Sequence, residues 1–311
     1  MGLTFVSEPV RVRTPATSAN LGPGFDTLGL ALTLYDDLSA RVTGDRFTVS
    51  VTGEGAGELP GDESHLVVRA MLRTFDELGG RPAGVAVECV NRIPQARGLG
   101  SSSAAIVGGV QLARGLVQEQ ISDEDALRIA AELEGHPDNV APCLLGGFTI
   151  AWTEASGSRA VRLAVAEGVR PTIFVPQERG LTSTARAALP PSVPHADASF
   201  NAGRSALLVH ALTAEPDLLF AATEDRLHQG YRAEAMPGTA SLVASLRSLG
   251  VAAVVSGAGP TVLAFGPLPA DFHPGTAWRA EALGVDATGA LAGWSMVEHA
   301  ERDPVAAGRK S

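Results

Sequence analysis

Apolar residues alternate with polar ones over much of the first hundred positions. Val10 and Val12 are separated by arginines in VRVRTPAT, which predicts an early strand. The stretch SARVTGDRFTVSVTG alternates on both sides of Gly44 and Asp45 and predicts two short strands around a turn. In GVAVECVNRIP, Val85, Val87 and Cys89 fall on one face of a further strand. The period then lengthens. Small and apolar residues from Ala104 to Val117 predict a helix, and Ser122 to Leu133 predict a second. Ser122 and Asp125 are spaced as a capping box, Leu127, Ala130 and Leu133 form the apolar stripe, and Gly135 suits the stop.

GGFTIAW returns to a strand pattern, and TEASGSR, at Glu154–Arg159, turns polar and flexible. This stretch marks the expected division into an N-terminal domain, residues 1–156, and a C-terminal domain, residues 157–311. In the second half PTIFVPQ predicts a strand, and Ser199–Leu212 and Thr239–Leu249 predict helices. VAAVVSG and TVLAFGP read as two adjacent strands and WSMVEHA as a last one. Strands and helices mix without strict βαβ alternation, so the fold class is α+β.

Composition narrows the chemistry. With 311 residues, 45% hydrophobic and 19% charged, the chain is a folded globular protein large enough for two domains. Its net charge of −10 argues against nucleic acid and anionic membranes as partners. The N-terminus lacks a signal-peptide pattern, and the most apolar window, VAAVVSGAGPTVLAFGPLPA, is broken by Gly and Pro. Cys89 and Cys143 have no metal-ligand spacing and read as buried, reduced thiols of a cytoplasmic protein. Lysine occurs once, at Lys310, so a Schiff-base or P-loop lysine is excluded as the centre of the chemistry. Arginines, backbone N–H groups or a metal must hold any anionic ligand.

RGLGSSSAAI, Arg97–Ile106, supplies such groups. Its glycines allow positive φ and close backbone approach, and the helix beginning there offers free N–H groups and the positive end of its dipole. Serine hydroxyls add donors and can bind Mg²⁺.

The longer stretch PQARGLGSSSA resembles the P-x-x-x-G-L-G-S-S-A phosphate loop of the GHMP kinases, with Ser103 where alanine is usual. PATSANLGPGFDTLGLAL and VVSGAGPTVLAF resemble that superfamily's substrate-side and third glycine-rich motifs, in the same order. Four further stretches resemble the homoserine kinase branch: ELEGHPDNVAPCLLGGF, LTSTARAALP, DRLHQGYR and DESHLVVRA.

This resemblance implies an N-terminal unit like ribosomal protein S5 domain 2 and a ferredoxin-like C-terminal unit, with ATP in the cleft. It implies that Pro94, Gln95, Ala96, Arg97, Gly98, Leu99, Gly100, Ser101, Ser102, Ser103 and Ala104 hold the phosphates. His65 lies near adenine, where asparagine is common. Ser102 and Glu134 are the implied Mg²⁺ ligands, with Glu132, two residues away, as the competitor. The implied acceptor is L-homoserine, phosphorylated on its side-chain hydroxyl on the way to threonine. Arg186 and Arg232 would take its carboxylate, Asp26 its ammonium and Asn20 its hydroxyl, with His136, Thr182 and Gly257 alongside. Arg232, Asp138 and Asn139 are the catalytic candidates. If Asn139 occupies the place of the mevalonate kinases' aspartate, the site lacks a strong base. A homodimer is expected only from the family habit. Rival readings are a kinase for another small alcohol, such as mevalonate, and an inactive sensor of ATP and an amino acid.

Overall fold

The computed structural model describes residues 3–119, 121–180 and 182–293; the strand expected at WSMVEHA lies outside them. The first layer is a seven-stranded sheet. Its strands are β1 (Val10–Ala19), β2 (Leu28–Thr43), β3 (Phe47–Gly53), β4 (Gly84–Asn91), β5 (Phe148–Glu154), β6 (Gly157–Leu163) and the short β11 (Leu291–Ala292). The main order is β11-β1-β2-β4-β3, and β5 pairs with the start of β2 and with β6.

Periodicity found β3 and β4 as strands but not their pairing. β2 and β3 do not form a hairpin about Gly44–Asp45, because β4 lies between them, antiparallel to β2 and parallel to β3. The helix α1 (Leu66–Leu78) makes the crossover that a parallel pair requires. It buries Val67, Val68, Met71 and Phe75, spaced for one helical face, and stops at Gly79 in the left-handed region (φ 88°). The remaining helices of this layer are α2 (Ser101–Gly115), α3 (Asp123–Glu134) and α4 (Pro137–Leu145). The Ser122 hydroxyl caps α3 by accepting from Asp125 N–H at 3.0 Å.

The second layer carries β7 (Pro171–Pro176), α5 (Thr182–Ala187), α6 (His195–Thr213), α7 (Leu219–Ala222), α8 (Gln229–Arg232), α9 (Pro237–Ser248), β8 (Ala252–Val255), β9 (Val262–Phe265) and β10 (Trp278–Ala282). Its antiparallel order, β10-β7-β9-β8, is that of a ferredoxin-like sheet, and residues 266–277 cross from β9 to β10 without a helix.

The expected division at 156/157 is corrected. TEASGSR is the turn and first residues of the β5–β6 hairpin, with Glu154 opposite Gly157 and β6 continuing the first sheet. Its polar, glycine-containing composition marked a tight turn, which shares that composition with linkers. The chain passes to the second layer after Leu163 and returns, through Val285 opposite Leu32, to place β11 on β1. One apolar core spans both layers, with Leu30, Phe148, Ile173 and Leu263 fully buried in it, so the cleft between the layers has a fixed floor.

Candidate active site

The three glycine-rich segments meet along one cavity of about 460 Å³. Gly98 (φ 74°) and Gly100 (φ 69°) adopt the left-handed backbone that the phosphate-loop shape needs. A Cβ on Gly98 would lie 2.2 Å from the Ser256 carbonyl oxygen, and one on Gly100 would lie 2.0 Å from Thr17 Oγ1. The neighbours press this closely because the segments are hydrogen-bonded together. Thr17 N–H donates to Leu99 O (3.0 Å), Thr261 N–H to Arg97 O (3.2 Å) and Ser256 Oγ to Gly98 O (2.6 Å). Gly257 N–H donates to Ala19 O at 3.0 Å, and Asn20 Nδ2 donates to Gly257 O at 2.9 Å.

Gly100 precedes α2 and supplies no side-chain cap, so the first-turn N–H groups and the dipole of the helix act on the cavity. Ser101 and Ser102 line it, whereas Pro94, Ser103 and Ala104 are buried beneath the loop. The guanidinium of Arg97 is spent on carbonyls, donating to Pro176 (2.9 Å), Gln95 (3.0 Å) and Gln177 (2.8 Å). Arg97 thus fixes the loop to the end of β7. At the loop's entry, Asp36 accepts from the N–H groups of Arg92 (2.6 Å) and Ile93 (2.9 Å), and burial pushes its carboxyl up to about 6.

At one end of the cavity, Leu59, Pro60, Leu38 and Val67 make an apolar wall beside His65. His65 caps α1, its Nδ1 accepting from Val67 N–H at 3.2 Å. Nδ1 is therefore unprotonated and Nε2 carries the hydrogen, buried and without a partner among the described residues. Burial lowers the imidazole pKa and keeps the ring neutral.

Near the start of α2, Glu134 Oε1 accepts from Ser102 Oγ at 2.7 Å and Ser103 Oγ at 2.9 Å. Glu132 points elsewhere, to Arg73 (3.0 Å) and Arg128 (2.9 Å) on the surface. A hydroxyl and a carboxylate beside an anion site are hard-oxygen donors suited to Mg²⁺, which completes its shell with phosphate oxygens and water. No cluster of three or more His, Cys, Asp or Glu able to hold a metal occurs among the described residues.

Opposite the loop lies a polar end with both signs of charge. Arg186 grips Asp26 bidentately, at 3.0 and 2.7 Å. Expected as separate anchors for a carboxylate and an ammonium, the two are paired with each other. Residue types alone could not reveal this, because they lie 160 positions apart and only the fold opposes them. Arg232 is 1% exposed and has no carboxylate within ion-pair distance among the described residues. It donates through Nε to Ala185 O (3.1 Å) and through Nη1 to Gly257 O (3.4 Å) and His228 Nδ1 (3.1 Å). Burial and the nearby Arg186 lower its pKa.

Asn20 uses its carbonyl and one amide hydrogen inside the protein, accepting from Asp26 N–H at 2.9 Å and donating to Gly257 O at 2.9 Å. One amide hydrogen is left for a ligand. His136 Nδ1 and buried Asp138 Oδ1 are 2.7 Å apart, and this contact raises the His136 pKa. Asn139 Oδ1 accepts from Thr17 Oγ1 at 2.8 Å, and Thr182 is exposed at the start of α5. The sequence reading missed Thr17, Asp36, Phe25, Ser256 and His228. Four of these sit inside or beside quoted motifs, and their signal was adjacency alone. Asp36 had none beyond its place in a strand.

Comparison with known proteins agrees with this geometry. The GHMP kinases N terminal domain family matches residues 65–147, and the GHMP kinases C terminal family matches residues 206–272. The homoserine kinase of Streptomyces coelicolor is 53% identical over 296 residues, covering 93% of this chain and 96% of the relative. That of Clavibacter michiganensis is 57% identical over 263 residues, covering 84% and 83%. The crystal structure of homoserine kinase from Cytophaga hutchinsonii superposes with a TM-score of 0.79 at 27% identity, covering 94% of this chain and 99% of that one. The crystal structure of L. major mevalonate kinase in complex with R-mevalonate shares the fold alone, with a TM-score of 0.68 at 14% identity, covering 92% and 99%. The loop, the arginines and the extent of these matches lead to one assignment: the chain belongs to the homoserine kinase family of the GHMP kinases.

Proposed function

We propose that this chain transfers the γ-phosphoryl group of ATP to the side-chain hydroxyl of L-homoserine, forming O-phospho-L-homoserine for threonine synthesis. The observation that carries the reading is a buried guanidinium, Arg232, with no carboxylate within ion-pair distance among the described residues, on the same cavity as the uncapped start of α2. A buried cation is costly unless an anion meets it, and the carboxylate of an amino acid fits a guanidinium fork.

In this reading the backbone of Gly98–Ser102 cradles the phosphates, and the apolar wall beside His65 takes the adenine. Ser102 and Glu134 would hold Mg²⁺, which when bound neutralises phosphate charge. The Asp26–Arg186 pair opens to the zwitterion: Asp26 takes the ammonium, and Arg186 joins Arg232 on the carboxylate. One internal ion pair is exchanged for contacts of the same sign pattern, so the charged groups stay compensated. Asn20, His136, Thr182 and Gly257 complete the acceptor end, with Asp138 held by His136 and Asn139 by Thr17. A loose phosphoryl-transfer transition state allows the hydroxyl proton to leave late, so this end serves positioning more than proton abstraction.

Analogues that lack one charge test the reading. 4-Hydroxybutyrate lacks the ammonium and 3-amino-1-propanol lacks the carboxylate. Each should lose on the order of 10³-fold or more in kcat/KM relative to L-homoserine, because each leaves a charged anchor of the acceptor end without its counter-charge. Turnover of either analogue within tenfold of homoserine would refute the assignment of the corresponding anchor.

A further inference from the structure

His228 plays no part in the scheme above, yet it is fully buried between the two halves of the acceptor end. Its Nδ1 lies 3.1 Å from Arg232 Nη1, and its Nε2 lies 2.7 Å from the carbonyl oxygen of Gly22. These partners leave one assignment of hydrogens. A guanidinium only donates, so Nδ1 must accept; Nε2 then carries the hydrogen and donates to Gly22 O. His228 is the residue just before α8 and Arg232 is the last residue of that single turn, which brings their side chains together. The Asp225 carboxylate fixes the start of that turn by accepting from the N–H groups of Leu227 (2.9 Å), His228 (3.1 Å) and Gln229 (2.8 Å).

Gly22 begins the turn that carries Phe25 and Asp26. The Phe25 ring lies 5.1 Å from the His228 ring, with the Arg232 and Arg186 guanidinium carbons 5.4 and 5.7 Å from its centre. The imidazole therefore ties the arginine on α8 to the loop that holds the aspartate, across the aromatic ring that both arginines flank. Among the described residues, this is the only hydrogen bond of Arg232 to a side chain; the other two are to carbonyls.

We infer that His228 is a positioning residue that sets the Arg232 guanidinium against the homoserine carboxylate by accepting from Nη1 while anchored on Gly22. The inference rests on the reading of Arg232 as a carboxylate anchor. It differs from a plain packing role, which would not distinguish the two ring nitrogens.

Two substitutions separate them. His228→Asn places an amide oxygen near Nδ1 and keeps an acceptor for Arg232. His228→Gln places its amide near Nε2, keeping the bond to Gly22 and losing the acceptor. His228→Gln should raise the KM for homoserine by about tenfold or more, the scale of a hydrogen bond to a charged group, with the KM for ATP within about twofold of the parent. His228→Asn should stay within about threefold for both substrates. On an Arg232→Ala background, His228→Gln should add less than about twofold, because the residue it positions is gone. Equal effects of the two substitutions, or equal losses for ATP and homoserine, would assign His228 to packing and overturn the inference. If Arg232→Ala itself leaves the homoserine KM unchanged, the reading of Arg232 fails instead, a separate result of the same experiment.

Discussion

Replacing Arg232 with alanine is expected to raise the KM for homoserine by about 10²- to 10³-fold while the KM for ATP changes little. Truncating one partner of a buried, hydrogen-bonded charge pair costs about 2–5 kcal/mol, and each 1.36 kcal/mol is a factor of ten. The selectivity of the effect follows from geometry. Arg232 belongs to the second layer and bonds to Gly257 and Ala185, whereas the proposed phosphate site is the uncapped start of α2 in the first layer. Arg232→Lys should recover little, because an ammonium cannot reproduce the guanidinium fork. Steady-state kinetics with each substrate varied in turn checks this. Equal losses for both substrates would mean that Arg232 supports the cavity as a whole and does not anchor one ligand.

Glu134→Gln is expected to lower kcat by on the order of 10³-fold, since in the proposed scheme the charge it removes would neutralise phosphate through a bound Mg²⁺, worth several kcal/mol in the transition state. Glutamine keeps an oxygen for Ser102 and Ser103, which donate to Glu134 at 2.7 and 2.9 Å, so the loop's shape should survive. The Mg²⁺ concentration needed for half-maximal rate should rise as kcat falls. Glu132→Gln serves as the matched control. Its carboxylate pairs with Arg73 and Arg128 on the surface, an arrangement worth under about 1 kcal/mol, and its kinetics should match the parent's. If Glu132→Gln lost the activity and Glu134→Gln kept it, the metal assignment would be reversed.

The elements most legible in the sequence were those whose signal is local. α3 announced its cap, stripe and glycine stop, and β8 and β9 were read as neighbours. α4 was missed because Pro142 lies inside it and argues against a helix in any propensity reading. β2 was seen only at its end, since its first half is buried on both faces and does not alternate. The order of β2, β4 and β3 was hidden for a different reason: register and neighbours are properties of the folded chain, not of one strand's period. The same divide runs through the site. The loop glycines stood out because positive φ demands a residue type. The Asp26–Arg186 pair and the His228–Arg232 contact did not, because each depends on how α5 and α8 pack against the turn after β1. Arg97 shows what a motif match leaves out: its guanidinium donates to the carbonyls of Pro176, Gln95 and Gln177 and so secures the loop backbone.

The measurement that tests the account most directly is ADP release by the purified protein with ATP and Mg²⁺, offered L-homoserine, L-threonine, L-serine and mevalonate in parallel. The account requires turnover on L-homoserine well above the other three. Threonine and serine carry their hydroxyl one carbon nearer the charged anchors, and mevalonate brings no ammonium for Asp26. Turnover on mevalonate equal to that on homoserine, or no turnover on homoserine by protein that binds ATP, would contradict it.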